Sequence, residues 1–153
     1  MSKFLFANVA LALAAVAAPL HVAAQSRTDQ ERGNLETVLA FYEKGLNQKD
    51  ADSALKYIGN RYVQHNPTAA DGPEGFRRFV AYLKEKSPES RGYIKQSFVD
   101  GDTVILHVNA IREPGTRGAA IVDIFKLEQG NIVEHWDVIQ PVPETAANSN
   151  GMF

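Results

Sequence analysis

Ile132-Val133-Glu134-His135-Trp136-Asp137-Val138-Ile139-Gln140-Pro141-Val142-Pro143 is the stretch in which a strand pattern and ionisable side chains coincide most densely. The β-branched residues Ile132, Val133, Val138 and Ile139 favour a pleated, half-buried segment. The Gln129-Gly130-Asn131 turn opens it and Pro141 closes it. Successive side chains of a strand point to opposite faces, so His135 and Asp137 share one face while Glu134, Trp136 and Val138 share the other. An imidazole and a carboxylate are thereby aimed into the same space. If that space is a closed pocket, desolvation and mutual charge tune both groups for proton transfer; on an exposed face they are merely solvated.

Upstream, a period of two continues. Strands are expected near Tyr93 to Val99, Thr103 to Arg112 and Ala119 to Glu128, with a tight hairpin at Asp100-Gly101 and a looser loop from Pro114-Gly115. Before Gly92 the apolar spacing is helical. Leu35, Val38, Leu39, Tyr42 and Leu46 mark a first helix, with Asn34 as its cap. Asp50 caps a short second helix through Ala51, Ala54, Leu55 and Ile58, stopped at Gly59. Tyr62 to Asn66 reads as an extended entry into a loop, because Pro67 keeps Asn66 out of the helical region. Pro73 then opens a third helix whose buried face is Phe76, Phe79, Val80 and Leu83. Three one-sided helices followed by four strands predict an α+β fold: a curved antiparallel sheet with the helices on its concave face.

Certain sheet positions break the apolar rule. Asp123 lies within Ile121-Val122-Asp123-Ile124-Phe125, and His107 and Asn109 interrupt Val104 to Ala110. A charge among large apolar residues needs a partner or a purpose. With Tyr62 and His65 added, the candidate set is Tyr62, His65, His107, Asp123, His135 and Asp137, read as one polar patch inside the curved sheet.

The 153 residues include no cysteine, which excludes thiol catalysis, cysteine metal sites and disulfides. A formal net charge of −2 with interspersed signs argues against a nucleic-acid partner. His135-Trp136-Asp137 has the His-x-Asp form of some iron sites, and His65 or His107 could be a third ligand. However, no histidine follows His135 and no zinc spacing occurs, so no metal is expected. A nucleophile elbow and Gly-rich phosphate cradles are also missing. Acid/base work on a neutral organic ligand is what remains.

Residues 1–24 carry a positive start, an apolar run from Phe4 to Leu20 and a small-residue site at Val22-Ala23-Ala24. They read as a secretory signal peptide, so the mature protein is expected to be exported, periplasmic or secreted, with no membrane association. Residues 25–33 read as a polar leader and 34–153 as a single domain.

Tyr62-Val63-Gln64-His65-Asn66-Pro67, Val122-Asp123-Ile124-Phe125 and Gly130 to Val138 together resemble the SnoaL-like polyketide cyclase family of the nuclear transport factor 2-like superfamily. The tail Asn148 to Phe153 resembles its predicted aldol-condensation branch, and the similarity runs from about Asn34 to Phe153. The resemblance implies a cone-shaped α+β barrel with a deep apolar pocket, a homodimer formed through the outer sheet face, and an aldol-type closure without cofactor. It matches Asp137 to the family's acid/base aspartate and Asp123 to the position of a supporting histidine. The expected enzyme is a cofactor-independent lyase, cyclase or isomerase acting on a small hydrophobic carbonyl compound. Its expected catalytic residues are Asp137, His135, Asp123 and His65, with substrate held by Tyr62, His107, Asn109 and Phe125. The alternative is a non-catalytic periplasmic small-molecule-binding protein using the same pocket.

Overall fold

The computed structural model describes residues 27–153, so the expected signal peptide and the first residues of the leader lie outside the described residues. Helix α1, Asp29–Tyr42, begins earlier than the apolar spacing suggests because Thr28 caps it reciprocally with Glu31. Most of the expected polar leader is therefore helix. Asn34 is no cap: it is buried inside α1, where its Nδ2 donates to the Gly101 carbonyl at 3.0 Å and ties the helix to a sheet turn. A π-helical turn, Glu43–Asn47, continues α1. Helix α2, Ala51–Ala54, is capped by Asp50, which accepts from the Ser53 N–H, and it tightens into a 3₁₀ turn at Leu55–Tyr57. Helix α3, Gly72–Lys86, starts with Pro73 in its first turn, as expected.

The sheet has five strands: β1 Ile58–Gln64, β2 Arg91–Asp100, β3 Thr103–Ile111, β4 Ala119–Glu128 and β5 Asn131–Pro141. Their order is β1-β5-β4-β3-β2. The four-strand meander appears where the alternation places it, but two expectations need correction. The segment expected to be only an entry into a loop is a strand, and it runs parallel to β5, making the sheet mixed. The sheet also stays open, with β1 and β2 as its edges. Register shifts between Ile94 and Gln96 and between Lys126 and Leu127 mark bulges of the kind that bend a sheet into a cone.

One face of this sheet is covered by the helices. Val38, Phe41 and Tyr42 of α1 and Phe76 and Val80 of α3 pack against Val104, Leu106, Val108, Phe125, Leu127 and Ile132. Phe41 meets Phe76 at 4.8 Å and Phe125 edge-on at 5.9 Å between ring centres, joining both helices to β4. Toward one end of the sheet the helices leave a gap, which becomes the pocket. On the outer face the tail reaches back, and the Phe153 ring stacks on His107 with 5.3 Å between centres.

Candidate functional site

Strand register decides which groups meet. Asp123 on β4 stands directly opposite Asp137 on β5, and Phe125 opposite His135; β1 adds Gln64 beside His135. These residues face the helices, on the same side as Ile121 and Leu127. Two like charges directly opposed across strands repel, so a shared proton or a neighbouring cation is needed to offset them.

The offset is visible in the hydrogen bonds. His135 Nε2 lies 3.0 Å from Asp123 Oδ1, and its Nδ1 lies 2.9 Å from Gln64 Oε1. Gln64 in turn donates through Nε2 to the Tyr62 hydroxyl oxygen at 2.8 Å. With Gln64 held that way, its Oε1 accepts the proton of Nδ1, so Nε2 and Oδ1 share one proton between them. Asp123 and His135 are only 6% and 8% exposed, and the second Asp123 oxygen, Oδ2, is buried without a partner among the described residues. Burial raises the Asp123 carboxyl above the ordinary carboxylate range, although the hydrogen bond from His135 opposes the shift. Asp137 is held differently: Asn66 Nδ2 donates to both its oxygens, at 2.9 and 2.8 Å. Asn66 is fixed by Thr68, whose backbone N–H and hydroxyl both donate to Asn66 Oδ1.

Around this cluster is a cavity of about 180 Å³ walled by Phe41, Phe76, Phe79, Leu83 and Phe125. The Tyr42 and Tyr62 side chains line it too, and burial together with the Asp123 charge pushes both phenols up, so they stay protonated and able to donate. Asp123, His135 and Asp137 offer ligand atoms within 4.8 Å of one another, a spacing a metal ion could use. In this arrangement Nε2 already faces Asp123 Oδ1 and both Asp137 oxygens already face Asn66, which leaves Asp123 Oδ2 as the unpartnered oxygen of the three side chains among the described residues.

Of the expected site residues, the fold brings Asp137, His135, Asp123, Tyr62 and Phe125 to the cavity. Three others are elsewhere. His65 lies past the end of β1 on the outer side, stacked on Trp136 at 4.3 Å and 3.2 Å from Glu134 Oε2. His107 and Asn109 also face outward, because His107 pairs with Val122, one residue out of phase with the Leu106–Asp123 pair. His107 carries Phe153, and Asn109 donates to the Arg117 carbonyl. Tyr42, Gln64 and Asn66 were not anticipated. Gln64 has the same strand parity as Tyr62, a signal that was present; Tyr42 was hidden among the core positions of α1.

Residues 38–135 match the family described as the SnoaL-like domain. The chain belongs to this family. Among solved structures, the SnoaL-like fold here is similar to a candidate SnoaL-like polyketide cyclase from Jannaschia sp. CCS1, with TM-score 0.61, 23% identity, 75% of this chain and 90% of that one covered. It is also similar to IdmH from Streptomyces antibioticus, a candidate polyketide cyclase, with TM-score 0.57, 20% identity, and 69% and 91% coverage. A nuclear transport factor 2-like protein of unknown function from Mesorhizobium loti aligns with TM-score 0.63, 16% identity, and 75% and 97% coverage. No curated protein matches the chain. At these identities the solved structures support the SnoaL-like fold alone.

The raised Asp123 carboxyl is expected to make stability depend on pH. Between its unfolded and folded pKa values the folded protein binds more protons, so stability falls as pH rises through the folded value. Asp123→Asn is expected to remove this part of the pH dependence and to be the more stable form above that value. Urea unfolding of both proteins across the acid-to-neutral range checks it, and parallel curves would contradict it.

Proposed function

We propose that the protein is a cofactor-independent acid/base enzyme of lyase, cyclase or isomerase type that acts on a small hydrophobic carbonyl compound. The observation that carries this reading is the buried Asp123–His135 pair beside Asp137 at the floor of an apolar cavity. Asp137 takes a proton from the carbon next to the carbonyl. The C–H electrons move into the carbon skeleton and those of the C=O bond onto oxygen, giving an enolate. The Tyr62 hydroxyl, which accepts from Gln64 and so keeps its own proton for donation, holds that oxygen. The enolate carbon then attacks a second carbonyl carbon, as in aldol closure, with the π electrons of that C=O bond moving onto its oxygen; where a C=C bond is conjugated with the enolate, Asp137 instead returns the proton to the far carbon of the dienolate. In aldol closure the new alkoxide takes the proton shared by Asp123 and His135, and the proton held by Asp137 replaces it, so the site ends in its starting state.

The test is exchange of α-protons for deuterium in D₂O, followed by proton NMR with a panel of small ketones and aldehydes. Exchange above the buffer rate supports the assignment. Compounds that bind and are recovered without exchange would indicate a binding protein.

Two further expectations belong to this reading. A homodimer through the outer sheet face is supported by exposed apolar side chains there, Phe98 at 53% and Val138 at 68%. Light scattering should give twice the protomer mass, and a strict monomer would count against it. Export rests on residues 1–24, and sequencing the N-terminus of the protein recovered from a secreting host tests the cleavage after Ala24.

A further inference from the structure

The two ends of the cavity carry opposite charge. At the floor stand the carboxyls of Asp123 and Asp137. Arg91 and Arg112 also line the cavity and, unlike the buried Asp123, are exposed, which puts them on its solvent side, with Arg112 near enough for its charge to act on Asp123. Arg91 is already engaged, 4.0 Å from Glu43 Oε2 and above the Tyr93 ring. Arg112, just past the end of β3, has no carboxylate within ion-pair reach among the described residues. Its guanidinium carbon instead lies 5.5 Å from the centre of the Phe79 ring, which is itself part of the cavity wall. The stacked ring restrains the fork at the entrance, and a planar fork without a carboxylate partner suits bidentate recognition of a carboxylate.

Size and polarity limit what fits between these ends. A dry cavity of about 150 Å³ is known to hold one benzene ring. The 180 Å³ here therefore takes an apolar body of about that size and excludes a fused multi-ring skeleton from the enclosed part. A negative group at the floor would face two carboxyls, so the end of the ligand that reaches Asp123 and Asp137 must be neutral.

We propose that the pocket takes a small keto acid, with an apolar body of about one ring, its neutral carbonyl at the Asp123–Asp137 floor and its carboxylate held at the mouth by Arg112. The carbonyl end of this assignment rests on the reading given under Proposed function; the carboxylate anchor rests on Arg112 alone.

The probe is 4-acetylbenzoate, with a methyl ketone and a carboxylate at opposite ends of one ring, compared with its uncharged counterpart 4-acetylbenzamide. Titration calorimetry on the mature protein should show the acid binding about tenfold more tightly than the amide, which corresponds to about 1.4 kcal/mol. The preference should shrink as salt is raised. Arg112→Ala should bring the acid to the affinity of the amide, Arg112→Lys should restore part of the difference, and Arg112→Glu should reverse it. Equal binding of the two compounds, binding of neither, or a preference that survives Arg112→Ala overturns the proposal. Deuterium exchange at the acetyl methyl group, read on the same samples, separates the two readings. Exchange without an Arg112-dependent preference leaves the acid/base function standing and removes only the anchor. An Arg112-dependent preference without exchange keeps the anchor and removes the chemistry.

Discussion

Asp137→Asn is expected to lower α-proton exchange, or turnover of an accepted carbonyl compound, by about a hundred-fold or more, the scale of a lost principal proton-transfer group. The substitution keeps the shape and removes the base. Asn66 would still meet a carbonyl oxygen at position 137, so the loop that holds it has a partner, and the charge repulsion across from Asp123 disappears. Folding should therefore be unharmed or slightly favoured, and circular dichroism with urea unfolding would establish that. The informative result is the separation of the two measurements. Full exchange in the folded variant would move the proton transfer to the Asp123–His135 pair, and loss of folding together with activity would leave Asp137 as a structural group.

The second large effect concerns packing. Phe125→Ala should destabilise the protein by about 3–5 kcal/mol, a large share of the roughly 5–15 kcal/mol typical of a domain. Phe125 is 1% exposed, meets Phe41 edge-on and lies 4.8 Å from the His135 ring. Deleting the ring opens the floor of the cavity to water and removes the wall against which His135 is set. Denaturant midpoints measure the first consequence. The second predicts that any activity left in the folded fraction is also reduced. Phe125→Leu, which keeps most of the volume, should cost far less on both counts.

The last four strands could be read almost to the residue because alternation, Gly-containing hairpins and β-branched residues all agree there. The convergence of Asp123, His135 and Asp137 followed from the same alternation once neighbouring strands were paired. Strand β1 was harder. Gly59, Asn60 and Arg61 dilute its apolar signal, and its partner lies far away in sequence, so local pattern gave only the extended run near its end. The placement of His107 and Asn109 failed for a related reason. Parity says that two residues share a side; it does not say which side is inside until the register with β4 is known. His65 lies just beyond the strand, where the chain bends toward Asn66-Pro67 and parity no longer applies. The start of α1 was legible in Thr28-x-x-Glu31 but was outweighed by the apolar spacing that begins later.

The parallel pairing of β1 with β5 also bears on the order in which the molecule is made. Gln64 and His135 touch across 71 residues of chain, and every strand between them is synthesised after the first and before the second. The Gln64–His135 hydrogen bond therefore cannot exist in any nascent chain that stops short of β5, and β1 must wait beside helices that are already present. Closing so long a loop is slow relative to forming the hairpins that precede it. Pocket assembly is thus expected as the last step of folding, with a refolding intermediate that has the β2–β4 meander protected from hydrogen exchange while the amides of β1 still exchange freely.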